Sequence, residues 1–274
     1  MKNIFFYHVT KTAGTSLRNL LRNNYEAAEI YDSCANADGP NAGSDFLHER
    51  PGMYKEHSCF MGHYRPEILP RIPKHFFRFT FLRHPVSRAV SWFYYLKSAG
   101  LLESSMELRD FFYSVPSMPK DSRCPAISYF KQSTNAYVRF FGNHLDKGFH
   151  EINNDHYRDA MESLQNNFDF IGFQERYEES AFMLSKLAGF DNIFYERLRE
   201  TPESSKISDH RKELGDSLYN RIVEYNQYDI KLYENVLQKS EAHFAGFMSK
   251  YAAEFERSKT NRPEKAALRD SFMS

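Results

Sequence analysis

"IFFYHVTKTAGTSLRNLL", Ile4 to Leu21, decides how the rest of the chain is read. The apolar run from Ile4 to Val9 has the composition of a short buried strand, and Leu17, Leu20 and Leu21 then recur at the spacing of one helix face. Between them lie a Lys, a Gly and several small hydroxylated residues. The first turn of a helix presents backbone N–H groups without partners and the positive end of the helix dipole. A strand–turn–helix unit with these residues in its turn therefore fits a bound phosphate. A simpler reading makes Thr10 or Thr12 an N-cap whose side-chain oxygen satisfies those N–H groups.

The same unit recurs. "HFFRFTFL" (His75 to Leu82) is rich in aromatic residues and Thr, as a strand is, and it runs into "RHPVSRAVSWFYYLK" (Arg83 to Lys97). There a Pro stands where a helix can begin, and Val86, Val90, Phe93 and Tyr94 follow at helical spacing. Phe168 to Phe173 predicts a third strand, followed by a helix with Phe182, Leu184 and Leu187 facing inward and Gly189 closing it. "SCFMGH" (Ser58 to His63) predicts another buried strand. This alternation predicts an α/β fold with a parallel sheet flanked by helices, whose ligands sit beyond the carboxyl ends of strands. The opening turn and Arg83 both lie at such ends.

The remaining segments frame this core. Residues 23–55 turn polar, with "CANADGPNAGSD" (Cys34 to Asp45) predicting a long loop or lid that shapes a binding site. Met106 to Phe168 reads as mostly helical, broken at "SVPSMPKDSRCP", and walls a substrate cleft. After Phe190 come a polar connector and helices from Leu214 to about Glu256. The expected organisation is a single domain over residues 1–256, with a charged, loosely held tail over 257–274.

Composition narrows the function. Lys+Arg and Asp+Glu number 36 each, so no global field recruits nucleic acid, and any anion site must be local. Cys34, Cys59 and Cys124 are odd in number, widely spaced and lack a C-x-x-C pair, which predicts neither a disulfide framework nor a zinc site. No apolar run reaches spanning length, the N-terminus lacks a signal peptide's apolar stretch, and no N-x-[ST] site occurs. The expectation is a cytoplasmic protein without a transmembrane segment.

Lys11 precedes Gly14, the reverse of a Walker A loop. That order resembles the phosphosulfate-binding loop of sulfotransferases that use 3′-phosphoadenosine 5′-phosphosulfate (PAPS), especially the "PKTAxTS" of the carbohydrate branch typified by heparan sulfate 2-O-sulfotransferases. Here Thr10 stands for the Pro. Arg83 and Ser91, within "FLRHPVSRAVSWFYYLK", match the family's 3′-phosphate motif, "xRDPVxRxxSxYYY". "FIGFQERYEESAFML" is similar to its "FVGxxERFEESLxLL". The resemblance touches Ile4 to Leu237 and implies a P-loop-NTPase-like fold with a helical C-terminal part.

It also implies a chemistry that these residue types suit. Transfer of a sulfuryl group to a hydroxyl moves charge onto the oxygen bridging to the 5′-phosphate, where Lys11 would supply a cation. The amides of Thr12, Ala13, Gly14 and Thr15, with the hydroxyls of Thr15 and Ser16, would hold the phosphate oxygens. Arg83, a planar fork, and Ser91 would clamp the 3′-phosphate. "CFMGH" resembles the segment in which the glycan enzymes carry a catalytic His in "HGH"; on that match His63 is the base, with Met61 in place of the first His. His57 and His8 are lesser candidates, His8 being placed within the strand.

Other residues have plainer readings. His84 and Arg88 either touch phosphate or sit solvated at the helix start. Trp92 to Tyr95 reads as core packing rather than an adenine platform. Glu175 and Arg176 either neighbour the nucleotide or pair with each other. Lys206, His210 and Arg211 occupy the connector where related enzymes close a loop over the nucleotide.

The leading expectation is an enzyme that takes PAPS, releases the bisphosphate PAP, needs no metal, and sulfates a hydroxyl-bearing acceptor, a carbohydrate by preference. A P-loop kinase or ATPase would instead need a Lys after the Gly and an acidic Mg²⁺ residue at another strand end. A non-catalytic nucleotide- or glycan-binding module would keep the cradle and have no turnover.

Overall fold

A computed structural model describes residues 1–33, 52–118, 124–192 and 207–260. Cys34 to Asp45, Lys206 and residues 261–274 lie outside the described residues. Five strands, β1 (Ile4–Tyr7), β2 (Ile30–Asp32), β3 (Cys59–Gly62), β4 (Phe77–Leu82) and β5 (Phe170–Phe173), form one sheet in the order β2-β3-β1-β4-β5. Every pairing is parallel. All four residues of β1 and of β3 are buried, as expected of strands covered on both faces.

Ten helices are described: α1 (Gly14–Arg22), α2 (Pro85–Ser98), α3 (Leu108–Tyr113), α4 (Pro125–Ser133), α5 (Ala136–Phe141), α6 (Asn154–Asn167), α7 (Tyr177–Ala188), α8 (Ile207–Tyr225), α9 (Gln227–Lys250) and α10 (Ala252–Thr260). A helical turn at Met53–Glu56 and four 3₁₀ turns complete the described elements. The architecture is thus α/β, a parallel sheet flanked by helices with a helical C-terminal part. Pro85 opens α2, where its missing N–H is no loss, and Gly189 closes α7 at φ 74.

Two apolar clusters hold the fold. One surrounds the sheet and includes Phe5, Phe6, Phe60, Phe79 and Phe81. The other lies beside it, where Val86, Phe93 and Leu96 of α2 meet Phe111, Phe130 and Ile222. Tyr94, assigned to the inner face by spacing, is 57% exposed. Trp92 takes a buried place instead and donates its indole N–H to the Tyr129 carbonyl at 3.0 Å.

The polar stretch after Asn23 holds more regular structure than its composition predicts. Ile30 to Asp32 form the edge strand β2, too short to leave a period-2 signal. Asp32 ends this strand in ion pairs with Arg18 and, at 2.8 Å, Arg22 of α1.

Candidate active site

The chain runs from β1 to β2 and β3 on one side of β1, then to β4 and β5 on the other, so the strand order reverses at β1. Ligands of open α/β sheets bind at the carboxyl ends beside such a reversal. The segments meeting there are residues 8–13 after β1, His63 after β3, Arg83 after β4 and Glu175 after β5.

Between β1 and α1 the backbone is strained. Lys11 and Ala13 have φ of 69° and 66°, in the left-handed region that side chains other than Gly, Asn and Asp rarely adopt. Alternating left- and right-handed residues turn successive N–H groups toward a common concavity that suits an anion. Ala13 is the N-cap of α1 and makes no side-chain cap bond. Neither Thr10 nor Thr12 therefore caps the helix: Thr12 is buried and donates to the Val9 carbonyl at 2.8 Å, bracing the loop from within. The first-turn N–H groups stay unclaimed by any cap, as an anion site requires. Thr15 is exposed and Ser16 half-buried beside them.

The Lys11 ammonium lies 4.7 Å from the centroid of the Tyr95 ring on α2. Ser91 precedes Tyr95 by one helical turn, so the two share the face of α2 turned toward the Lys11 loop.

His63 reaches the site through sheet register. Tyr7 pairs with Gly62, so the next residues, His8 and His63, leave their strands side by side. Gly62 has φ 137, and a Cβ there would come within 2.0 Å of Ser33 Oγ, so only Gly allows this exit. The His63 ring stacks on that of His8 with centroids 4.3 Å apart, and His63 Nδ1 lies 2.8 Å from the His8 carbonyl oxygen. A carbonyl only accepts, so Nδ1 carries the proton and a neutral ring keeps its lone pair on Nε2.

His8 lies just beyond β1, its N–H still bonded to the Gly62 carbonyl at 3.0 Å. Both its ring nitrogens are shielded and bond nothing among the described residues. Burial, then His63, Arg18 and Lys11, holds its pKa well below the ordinary imidazole value. His57 precedes β3, at the opposite end of the sheet from His63, and its ring faces Tyr31 and Phe60. The structure thus separates His57 from the site and brings His8 into it.

At the end of β4, Arg83 is 5% exposed, and its Nε is buried without a partner among the described residues. Burial lowers its pKa against the opposing pull of Glu175. Its backbone is fixed by one hydroxyl: Tyr137 Oη accepts from Arg83 N at 2.8 Å and donates to Arg83 O at 2.6 Å. Glu175 does not pair with Arg176. It accepts from His84 N at 2.8 Å and from Tyr233 Oη at 2.9 Å, while Arg176 pairs with Glu179.

Arg88 is fully buried rather than solvated. It donates to the Gln132 carbonyl at 3.0 Å and lies 5.6 Å from the Tyr137 ring centroid, a tie between helices. His210 is buried near His84, and Arg211 pairs with Asp216.

Sequence patterns gave no sign of the frame that holds Tyr137. Asp229 of α9 accepts from the Tyr137 and Val138 N–H groups at 2.9 and 3.0 Å, capping α5. In return Asn135, at φ 41, accepts from the Tyr228 and Asp229 N–H groups at the start of α9. Burial raises the Asp229 pKa to about 6, although nearby Arg88 pulls it down. Each helix start is capped by a residue at the other.

An uncapped helix start beside a Lys lies next to a buried Arg whose Nε has no partner among the described residues, at a reversal of strand order in a parallel α/β sheet, an arrangement that suits a phosphate-bearing ligand. The chain belongs to the sulfotransferase family, whose model matches residues 1–234. It is therefore a sulfotransferase, a transferase with a P-loop-like fold, in a family that generally uses PAPS. No curated protein matches it.

Proposed function

We propose that this sulfotransferase uses PAPS and places its sulfuryl group on a hydroxyl of a carbohydrate acceptor by in-line displacement, without a metal ion. The observation that carries the nucleotide reading is the pair of adjacent strand ends. One offers uncapped helix N–H groups and Lys11; the other offers Arg83 with a buried, unpartnered Nε. These residues fit a ligand with two separate phosphate-type groups. PAPS supplies the sulfuryl group and leaves as the bisphosphate.

Lys11, with the backbone N–H groups of Thr12 to Thr15 and the hydroxyls of Thr15 and Ser16, holds the 5′ end and neutralises charge that develops on the bridging oxygen. Arg83 and Ser91 hold the 3′-phosphate and so orient the nucleotide. His63 takes the acceptor's proton on Nε2, its tautomer set by the His8 carbonyl. Carbohydrate is favoured because "KTAGTS" and "CFMGH" resemble the matching segments of glycan 2-O-sulfotransferases.

The test is calorimetric titration with adenosine 3′,5′-bisphosphate against ATP, without and with Mg²⁺. Metal-independent binding of the bisphosphate, tighter than that of ATP, is expected; preference for Mg-ATP would replace this reading with a kinase. For the base, His63→Ala is expected to remove transfer to a carbohydrate acceptor and keep bisphosphate affinity. Turnover retained in that variant would assign the proton to another group.

A further inference from the structure

The start of α2 holds more unsatisfied polar groups than a clamp of Arg83 and Ser91 accounts for. Arg83 Nε, His84 Nδ1 and Ser87 Oγ are all shielded from solvent and bond nothing among the described residues. Arg83 and Ser87 are 5% and 2% exposed. Buried polar side-chain atoms nearly always have a partner, so three orphans within five residues mark a place where a ligand belongs.

The backbone adds to them. Val86 and Ser87 lie in the first turn of a 14-residue helix, where N–H groups have no carbonyl four residues back. An Arg N–H, a Ser O–H and helix N–H groups are all donors, and their common ligand is a phosphate. Arg88, the next cation along, gives Nη2 to the Gln132 carbonyl and lies against the Tyr137 ring, while its Nε and Nη1 are shielded without a partner among the described residues.

We propose that His84 and Ser87 complete the pocket for the nucleotide's 3′-phosphate, and that His84 takes up a proton from solvent as the phosphate enters and returns it on release. This rests on the reading of Arg83 as the 3′-phosphate ligand. The groups facing His84 explain the coupling. Arg83 precedes it, His210 approaches from the first turn of α8, and the Tyr233 ring of α9 lies 5.6 Å away. Glu175, beyond β5, is the facing carboxylate, and its oxygens accept from the His84 backbone N–H and from Tyr233 Oη. Among the described residues no carboxylate bonds the imidazole itself. Burial, His210 and Arg83 therefore keep the ring neutral, with a pKa of about 4, until an anion arrives beside it.

The experiment compares adenosine 3′,5′-bisphosphate with adenosine 5′-phosphate, which lacks the 3′ group, by calorimetry at pH 6 and pH 8. The protein is the full chain and its His84→Gln and Ser87→Ala variants. Ser87→Ala is expected to weaken the bisphosphate about 3- to 10-fold at both pH values. His84→Gln is expected to weaken it about 10-fold at pH 6 and much less at pH 8. Neither should change the monophosphate, and the nucleotide's own ionisation is common to all three proteins. Equal losses for the two nucleotides, no loss, or a His84→Gln loss that ignores pH would overturn the inference while leaving the function standing. A parent protein that does not prefer the bisphosphate to the monophosphate would overturn the reading of Arg83 as well.

Discussion

The loop after β1 and the segment after β4 meet at neighbouring strand ends, yet they are held in place by opposite means. Around Lys11 the constraints are local: positive φ at Lys11 and Ala13, the Thr12 hydroxyl on Val9, and Gly14 pressed against the His8 ring. Around Arg83 they come from far along the chain. Tyr137 holds its N–H and carbonyl, Glu175 and Tyr233 hold the next residue, and Asp229 caps the helix that carries Tyr137. A site can thus pair a strained, self-contained loop with an Arg whose position depends on four residues of three other elements. The two halves should respond differently to mutation.

Asp229→Ala should have the largest effect. It leaves the buried Tyr137 and Val138 N–H groups unpaired, each at about 1–3 kcal/mol, and removes a carboxylate that favours the Arg88 charge. Thermal or urea unfolding measures this, and bisphosphate affinity should fall with it because Tyr137 loses its support. Lys11→Ala should leave unfolding unchanged and lower transfer on the order of 10²–10³-fold, with a smaller loss of bisphosphate affinity, since Lys11 acts mainly on the developing charge. Steady-state rates on a confirmed acceptor decide it.

Gly14→Ala tests the local half. Its Cβ would lie 1.9 Å from His8 Cε1, so the buried ring must move, at about 1–3 kcal/mol for overpacking. The melting temperature should fall, and the stack of His8 on His63 should be lost with it. Tyr137→Phe keeps the ring and removes both bonds to Arg83, so bisphosphate affinity should fall while the Lys11 loop is untouched. The stability cost is about 1–3 kcal/mol, because the Arg83 N–H is left buried and unpaired.

The smallest effect is on the pH dependence of stability. His8 and His84 are held neutral below their ordinary pKa, so the unfolded chain binds protons that the folded chain refuses. Stability should fall as pH drops from about 6.5 toward 4. Asp229, raised to about 6, has the opposite sign and loses stability as pH rises from about 4 to 6, which partly offsets the histidines. Melting curves should show a shallower acid slope in His84→Gln than in the parent.

Much of this is legible in the sequence alone. The central strands, the Lys11 turn and the start of α2 at Pro85 follow from local chemistry: apolar runs, a Gly, a Pro, helical spacing. What failed also had local causes. The edge strand β2 is three residues long, and helical spacing put Tyr94 inside because it cannot tell which face of α2 is covered. The Thr capping reading was wrong because Ala13, in a left-handed conformation, begins the helix instead.

The sequence by itself determined the alternation of strands and helices and placed Lys11 and Arg83 at strand ends, because hydrophobic periodicity and turn residues act over a few positions. Only the tertiary structure decided that Tyr7 pairs with Gly62, bringing His8 onto His63, and that Asp229 and Asn135 cap each other's helices. Register and reciprocal capping join residues dozens of positions apart, and their energy comes from burying those groups together, which no local pattern encodes.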